Sequence, residues 1–270
     1  MFEPMQKYEA LLARLAGLES ALVAYSGGID STLLAFAAHA VLGDDCAAVL
    51  AVSDTYPSSE VEAARATAAE LGLRLIEVET YELSDPRFRA NTPDRCYYCK
   101  TELFDLLKAV AGSRALAVVA DGTNADDDSE HRPGRQAALE AGVVSPLLEV
   151  GMTKADIREI SRDLGLPNWD KPAMACLASR FPYGEAMTDE GIARVARAED
   201  DLRALGLRQF RVRSHGDTAR LEVDPGEMDA AWSMRELLAQ SLRDAGFSFV
   251  AQDLEGYRAG SMDEPLEETP

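Results

Sequence analysis

The stretch AYSGGIDST, Ala24 to Thr32, decides how the rest of the chain is read. An apolar run, LVAY (Leu22 to Tyr25), enters Ser26, Gly27 and Gly28, and helical spacing begins within Ile29 to Ser31. Two glycines let the backbone turn tightly and expose successive amide N–H groups. Those amides, with the positive end of the helix dipole, make a nest for phosphate. Ser26, Ser31 and Thr32 add hydroxyl donors. Asp30 is out of place beside bare phosphate, and calls for a bound Mg²⁺ or a cationic neighbour. The pattern GxxxxGK[ST] is absent, so this is not the loop that delivers a γ-phosphate.

Working outward, further apolar runs follow: AAVLAV (Ala47 to Val52), LRLIEV (Leu73 to Val78) and ALAVVA (Ala115 to Ala120). Their continuity is that of strands covered on both faces. Helical patterns separate them at Ser31 to Val41, Ser58 to Leu71 and Thr101 to Ala111. This alternation predicts an α/β domain with a doubly wound parallel sheet, whose ligands sit at the carboxyl ends of the strands. Two segments at such ends carry polar groups, VSDTYPSSE (Val52 to Glu60) and ADGTNADD (Ala120 to Asp127), the latter with Gly122, Thr123 and Asn124.

Thr153 to Leu164 reads as a capped helix, and GLPNWDKPAMACLASRFPYGEAM as a long Pro- and Gly-rich loop, of the kind that tends to carry function. After Thr188 the pattern becomes helix (Asp189 to Leu205), strands RQFRVRSH and ARLEVD, a helix near Ala230 to Ala245, and strand FSFVA. We therefore expect a main domain over 1–185, a small α+β domain over 186–253, and a weakly ordered acidic tail over 254–270.

With 270 residues, 47% of them hydrophobic and 27% charged, the chain is composed like a globular protein and can bury its own core. It holds 27 Lys and Arg against 47 Asp and Glu, a net charge of −20. Such a surface repels nucleic-acid backbones, so no nucleic-acid partner is expected. No apolar run approaches the roughly 20 residues that cross a bilayer, and the N-terminus lacks a signal-peptide layout. A cytoplasmic protein without a membrane partner is the expectation.

Four cysteines in such a chain do not read as a disulfide framework. Cys46 opens an apolar run and reads as core. RCYYCK (Arg95 to Lys100) carries the pair Cys96 and Cys99, spaced to share a metal or an iron–sulfur cluster, or to form a redox disulfide. A further thiol, Cys176, lies in KPAMACLASRFPYG.

SGGIDST resembles the PP-loop of the N-type ATP pyrophosphatases. Taken with KPAMACLASRFPYG, DGTNADD, TKADIR and FRVRSHG, the whole chain is similar to the LarE family of ATP-dependent sulfur transferases. The resemblance implies that ATP, with Mg²⁺, adenylylates a carboxylate of pyridinium-3,5-dicarboxylate mononucleotide, and that sulfur then gives a thiocarboxylate for the nickel-pincer cofactor of lactate racemase. It implies ATP contacts at Ser26, Gly27, Gly28, Asp30, Ser31, Thr32, Gly122, Thr123 and Asn124. It also implies substrate contacts at Ser179, Arg180, Arg211 and Arg213, and a metal or substrate contact at Glu199. Family members supply sulfur either from a cysteine matching Cys176, which is consumed, or from a [4Fe–4S] cluster on three cysteines. The presence of Cys96, Cys99 and Cys176 points to the cluster type. The family also suggests a homo-oligomer. Competing readings are a PP-loop tRNA thiolase, which the charge opposes, and a non-catalytic ATP-binding regulator, which the three thiols oppose. His215 reads as a structural histidine rather than a base.

Overall fold

In the computed structural model, residues 3–129, 133–172, 175–258 and 260–261 are described. Strands β1 (Ala21–Tyr25), β2 (Cys46–Val52), β3 (Leu75–Glu79) and β4 (Val118–Ala120) form one parallel sheet in the order β3-β2-β1-β4. Ala21 pairs with Cys46 on one side and with Val118 on the other, so β1 is central. The chain moves outward from β1 through β2 to β3, then returns to the far side of β1 as β4. That reversal opens a crevice beyond the carboxyl ends of β1 and β4, where ligands of such sheets bind. Both SGGIDS and DGTN begin there. The expected parallel α/β architecture is present.

Helices cover the sheet because its inner strands β1 and β2 are apolar on both faces. Phe104 and Leu107 of the helix Arg95–Ser113 pack with Leu22, Val49 and Val119. The helix Glu3–Ala16, which the apolar runs above do not reveal, buries Tyr8, Leu11 and Leu15 and packs against the helices Ile29–Leu42 and Lys154–Asp163. One expectation is corrected. The third crossover helix begins at Arg95 rather than Thr101, so Cys96 and Cys99 lie in its first two turns. Their i, i+3 spacing puts both thiols on one helix face.

The chain divides into two compact units. The first holds this sheet and spans Met1–Ser53, Ser58–Glu82 and Asp94–Met174; the second takes Asp54–Pro57, Leu83–Pro93 and Ala175–Pro270. In the second, β5 (Phe210–His215), β6 (Thr218–Val223) and β7 (Phe249–Gln252) form a sheet in that order, antiparallel then parallel. The helix Asp189–Ala204 packs on β5 and is capped by Thr188, whose hydroxyl accepts from the Gly191 N–H at 3.0 Å. The helix expected near Ala230 to Ala245 is two helices, Met228–Ser233 and Arg235–Asp244, parted at Met234. The expected tail begins tied to β6: Tyr257 N–H donates to Val223 O at 2.8 Å. Residues 262–270 of that tail, and Ala173 and Met174 of the long loop, lie outside the described residues.

Gly27 fixes the turn after β1. Its φ of +70° is left-handed, and a Cβ there would stand 2.5 Å from Ala64 Cβ on the helix Ser58–Glu70. Gly72 has a similar φ of +66° with nothing within 4 Å. Gly27→Ala is therefore expected to cost about 2–4 kcal/mol, strain plus overpacking, and Gly72→Ala only about 1 kcal/mol. Urea unfolding of the two variants checks this; equal losses would show that Ala64 does not limit the turn.

Candidate active site

The turn is built from reciprocal hydroxyl and backbone contacts. Ser31 Oγ accepts from Ser26 N–H at 3.1 Å and donates to Gly28 O at 3.1 Å, and the two serine hydroxyls lie 3.1 Å apart. Gly28 N–H donates to Ser26 Oγ at 3.3 Å. Gly28 itself has an ordinary extended φ of −76°, and a Cβ there would meet only Ser26 Oγ at 3.3 Å. The two glycines thus differ: Gly27 is demanded by packing, while Gly28 borders space the protein does not fill.

Thr32 is fully buried, and its hydroxyl accepts from Asn168 Nδ2 at 2.9 Å. The same amide donates to Gly27 O at 3.1 Å, and Lys171 Nζ reaches that carbonyl at 3.2 Å while pairing with Glu60 at 2.8 Å. Sequence reasoning missed Asn168 and Lys171. Their only signal was the NWDK string inside the long Pro- and Gly-rich loop.

DGTN crosses the same helix end. A Cβ on Gly122 would stand 3.0 Å from Ser31 N, so any other residue would have to push the helix end back by a few tenths of an ångström. Asp121 organises the turn, accepting from Thr123 N–H at 3.2 Å, Thr123 Oγ1 at 2.8 Å and Ser145 Oγ at 2.7 Å. Asn124 is buried, and its Nδ2 approaches Asp30 Oδ1 at 3.5 Å. Of the two partners anticipated for Asp30, the cationic one is present: Lys154 forms an ion pair with it.

None of the four cysteines is in a disulfide. Cys46 is buried, which pushes its pKa up to about 11, as for an inert core thiol. Cys96 is exposed and Cys99 half-buried, beside a hollow of about 240 Å³ lined by Asp94, Tyr97, Tyr98, Pro133 and Gln136. The pair offers two thiolates, half of a tetrahedral ligand set. Cys176, half-buried, belongs to the second unit. Among the described residues no three His, Cys, Asp or Glu side chains gather as a metal site.

Around Cys176 the second unit is held by buried charge. Arg180, 0% exposed, makes a bidentate pair with Glu199 through Nε and Nη2, both at 2.8 Å. Its Nη1 donates to Ala175 O at 2.9 Å, Cys176 O at 3.2 Å and Ser179 Oγ at 2.8 Å. Glu199 Oε1 also accepts from Val212 N–H at 3.1 Å. Both Glu199 oxygens are therefore engaged within the protein. Burial works to raise the Glu199 pKa, but Arg180 overrides it and holds the carboxyl below its ordinary value. Arg213 donates to Ser179 O at 2.9 Å, Glu222 at 2.7 Å and Ser261 Oγ at 3.1 Å. Arg211 is buried, its guanidinium 4.8 Å from the Tyr257 ring centroid. Burial first, and then the Arg180 charge, lower its pKa. His215 Nε2 accepts from Arg220 Nε at 3.2 Å, and burial followed by the Arg220 charge lowers its pKa.

Residues 10–96 match the family model described as NAD synthase. Over 262 residues the chain is 45% identical to an uncharacterized protein of Synechocystis sp., covering 96% of this chain and 98% of that one. Over 261 residues it is 39% identical to the pyridinium-3,5-bisthiocarboxylic acid mononucleotide synthase of Lactiplantibacillus plantarum, covering 96% and 95% of the two chains. A more distant relative is a glutamine-hydrolyzing GMP synthase component from Methanothermobacter thermautotrophicus, 30% identical over 166 residues, 56% of this chain and 51% of that one.

The Arg180–Glu199 pair makes a testable demand. Glu199→Gln leaves a buried guanidinium uncompensated and is expected to cost about 3–5 kcal/mol. Because the folded pKa of Glu199 lies below its unfolded value, its contribution is complete above the unfolded pKa and is lost as pH falls through the folded one. Denaturant titration from neutral to acid pH should therefore show the gap between wild type and Glu199→Gln narrowing toward low pH. A constant gap would mean that the carboxylate charge is not what Arg180 needs.

Proposed function

The chain belongs to the LarE family of PP-loop ATP pyrophosphatases, and from that membership we propose that it adenylylates a carboxylate of pyridinium-3,5-dicarboxylate mononucleotide and converts it to a thiocarboxylate. It is an ATP-using sulfur transferase. The observation that carries the finer reading is the loop after β1, where a side chain at Gly28 would meet only the Ser26 hydroxyl, at the reversal of the sheet. In this reading Ser26, Gly27, Gly28 and Ser31 hold the ATP pyrophosphate, and Thr123 and Asn124 border the nucleotide from the facing turn. Thr32 and Gly122 act through packing, one anchoring the loop to Asn168 and the other admitting the second turn. Asp30 would hold the Mg²⁺ that accompanies ATP.

The substrate carboxylate attacks the α-phosphorus, pyrophosphate leaves, and the acyl adenylate carries an activated carbon. We assign Arg211 and Arg213 to the anionic groups of the mononucleotide. The lowered Arg211 pKa reflects burial and crowding with Arg180, and a bound anion would relieve that crowding. Ser179 and Arg180 act on the Cys176 segment, whose carbonyl both hydrogen-bond. Glu199 acts through Arg180 as a positioning residue.

For the sulfur source we infer that Cys96, Cys99 and Cys176 would be the ligands of a [4Fe–4S] cluster, which when bound would supply sulfide to the activated carbon. The exposure of Cys96 and the partial exposure of Cys99 and Cys176 support this. One observation favours a second reading. Cys176 is partly exposed on a segment fixed by Arg180 and Ser179, which suits a nucleophile. Its sulfur would displace AMP, and cleavage of its own C–S bond would release the thiocarboxylate and leave dehydroalanine.

Two measurements test these statements. Gly28→Val fills space that the protein leaves open, so a folded variant should lose ATP binding and pyrophosphate release. Wild-type pyrophosphate release from that variant would remove the loop from the nucleotide site. After anaerobic reconstitution about four iron per chain are expected, lost in Cys96→Ala and Cys99→Ala. No iron, with a loss of roughly 34 Da at Cys176 on turnover (the mass of H₂S), would establish the consumed cysteine instead.

A further inference from the structure

Asn91 is fully buried, and its backbone is left-handed, with a φ of +53°. It stands just past the short helix Pro86–Arg89, where glycine is the usual choice and asparagine the side chain best tolerated. Backbone conformation alone therefore gives no reason for a side chain here. What the side chain adds is an amide. Its Nδ2 donates to Phe181 O at 3.2 Å and to Pro182 O at 2.7 Å, so both protons are spent on consecutive carbonyls. Backbone contacts reinforce the match: Gly184 N–H donates to Asn91 O, and Met187 N–H to Arg89 O, each at 2.9 Å.

Those carbonyls close the segment that carries Cys176. Leu177 N–H donates to Thr55 O at 2.8 Å, which pins the entry to the turn Leu177–Arg180. Arg180 holds its middle through Cys176 O. Asn91 supplies the third point, at the exit, and all three lie within the second unit. From Asn91 the chain runs on through Thr92, Pro93 and Asp94 into the helix Arg95–Ser113. One buried amide thus joins the chain that enters the Cys96–Cys99 turns to the chain that leaves Cys176. Removing it releases the exit while the entry and the middle stay held.

We propose that Asn91 is a positioning residue for the sulfur-transfer half of the reaction, acting by fixing the exit of the Cys176 segment. Adenylylation does not use it, because the residues assigned to ATP belong to the first unit and are built by other segments. The two halves of the reaction therefore separate when the amide is removed. This inference rests on the reading that Cys176 takes part in sulfur transfer, as cluster ligand or as consumed nucleophile, and the two fail separately.

The test is Asn91→Gly, which suits the left-handed backbone and removes only the side-chain amide. The first readout is alkylation of iron-free protein by N-ethylmaleimide, followed thiol by thiol in peptide mass spectra. Cys176 should react about tenfold faster, the scale of the hydrogen bonds lost. Exposed Cys96 and buried Cys46 should keep their wild-type rates, and an unchanged Cys46 excludes general unfolding. The second readout is a single turnover of anaerobically reconstituted protein with ATP and the pyridinium dicarboxylate mononucleotide. Pyrophosphate release should stay within about twofold of wild type while thiocarboxylate formation falls about 10- to 30-fold. Asn91→Asp keeps the size but cannot donate, and should behave like Asn91→Gly if the glycine variant does not fold. A Cys176 alkylation rate or a thiocarboxylate yield within about twofold of wild type overturns the proposal, and so does an equal fall in pyrophosphate release. Full thiocarboxylate formation by Cys176→Ala overturns instead the reading of Cys176 on which it rests.

Discussion

The Gly27 peptide is the point on which the first unit depends. Its α-carbon lies against Ala64, its φ is left-handed, and its carbonyl is gripped by both Asn168 and Lys171. Two of these constraints come from segments far apart in sequence: the helix after β2 and the loop after the helix Lys154–Asp163. They leave the turn no freedom to relax. The amides that follow are therefore held in position, and the anion site proposed there would gain from donors that need no reorganisation. Gly122 extends the same logic, bringing the DGTN turn so close to Ser31 that an added Cβ would stand 3.0 Å from its backbone nitrogen.

The second unit solves a different problem, that of carrying several charges in a dry environment. Arg180 and Glu199 are both enclosed, at 0% and 1% exposure, and neither would be tolerated alone. Their geometry satisfies nearly every donor and acceptor: the guanidinium fork closes on the carboxylate, its remaining nitrogen binds carbonyls at Ala175 and Cys176, and the carboxylate takes the Val212 amide. A salt bridge of this kind contributes less to stability than to uniqueness. Here it ties the turn that follows Cys176 to the helix Asp189–Ala204 and to β5, so the Cys176 segment inherits the rigidity of regular structure.

The sheet and its switch point were legible because continuous apolar runs and a two-glycine turn are local signals. The same holds for the Thr153 cap. The start of the helix at Arg95 was not legible, since polar and aromatic residues in RCYYCK hide the helical period that becomes visible only from Thr101. Arg180 and Glu199 were half legible. The family resemblance points to both, but only the fold reveals that they are each other's partner. The need of Asp30 for a cation is visible in its neighbours, yet nothing in the spacing names Lys154, which lies 124 positions later. Asn168 was invisible for the same reason: a polar side chain in a loop gains meaning only from the carbonyl it meets.

The central claim is that the loop after β1 serves transfer of an adenylyl group to a carboxylate. The most direct measurement supplies the pyridinium dicarboxylate substrate labelled with ¹⁸O in its carboxylates, together with ATP and a sulfur source, and follows the label by mass spectrometry. Adenylylation followed by displacement at carbon predicts one labelled oxygen in the AMP formed, with unlabelled pyrophosphate. AMP without label, or ADP and inorganic phosphate as the products, would contradict the account.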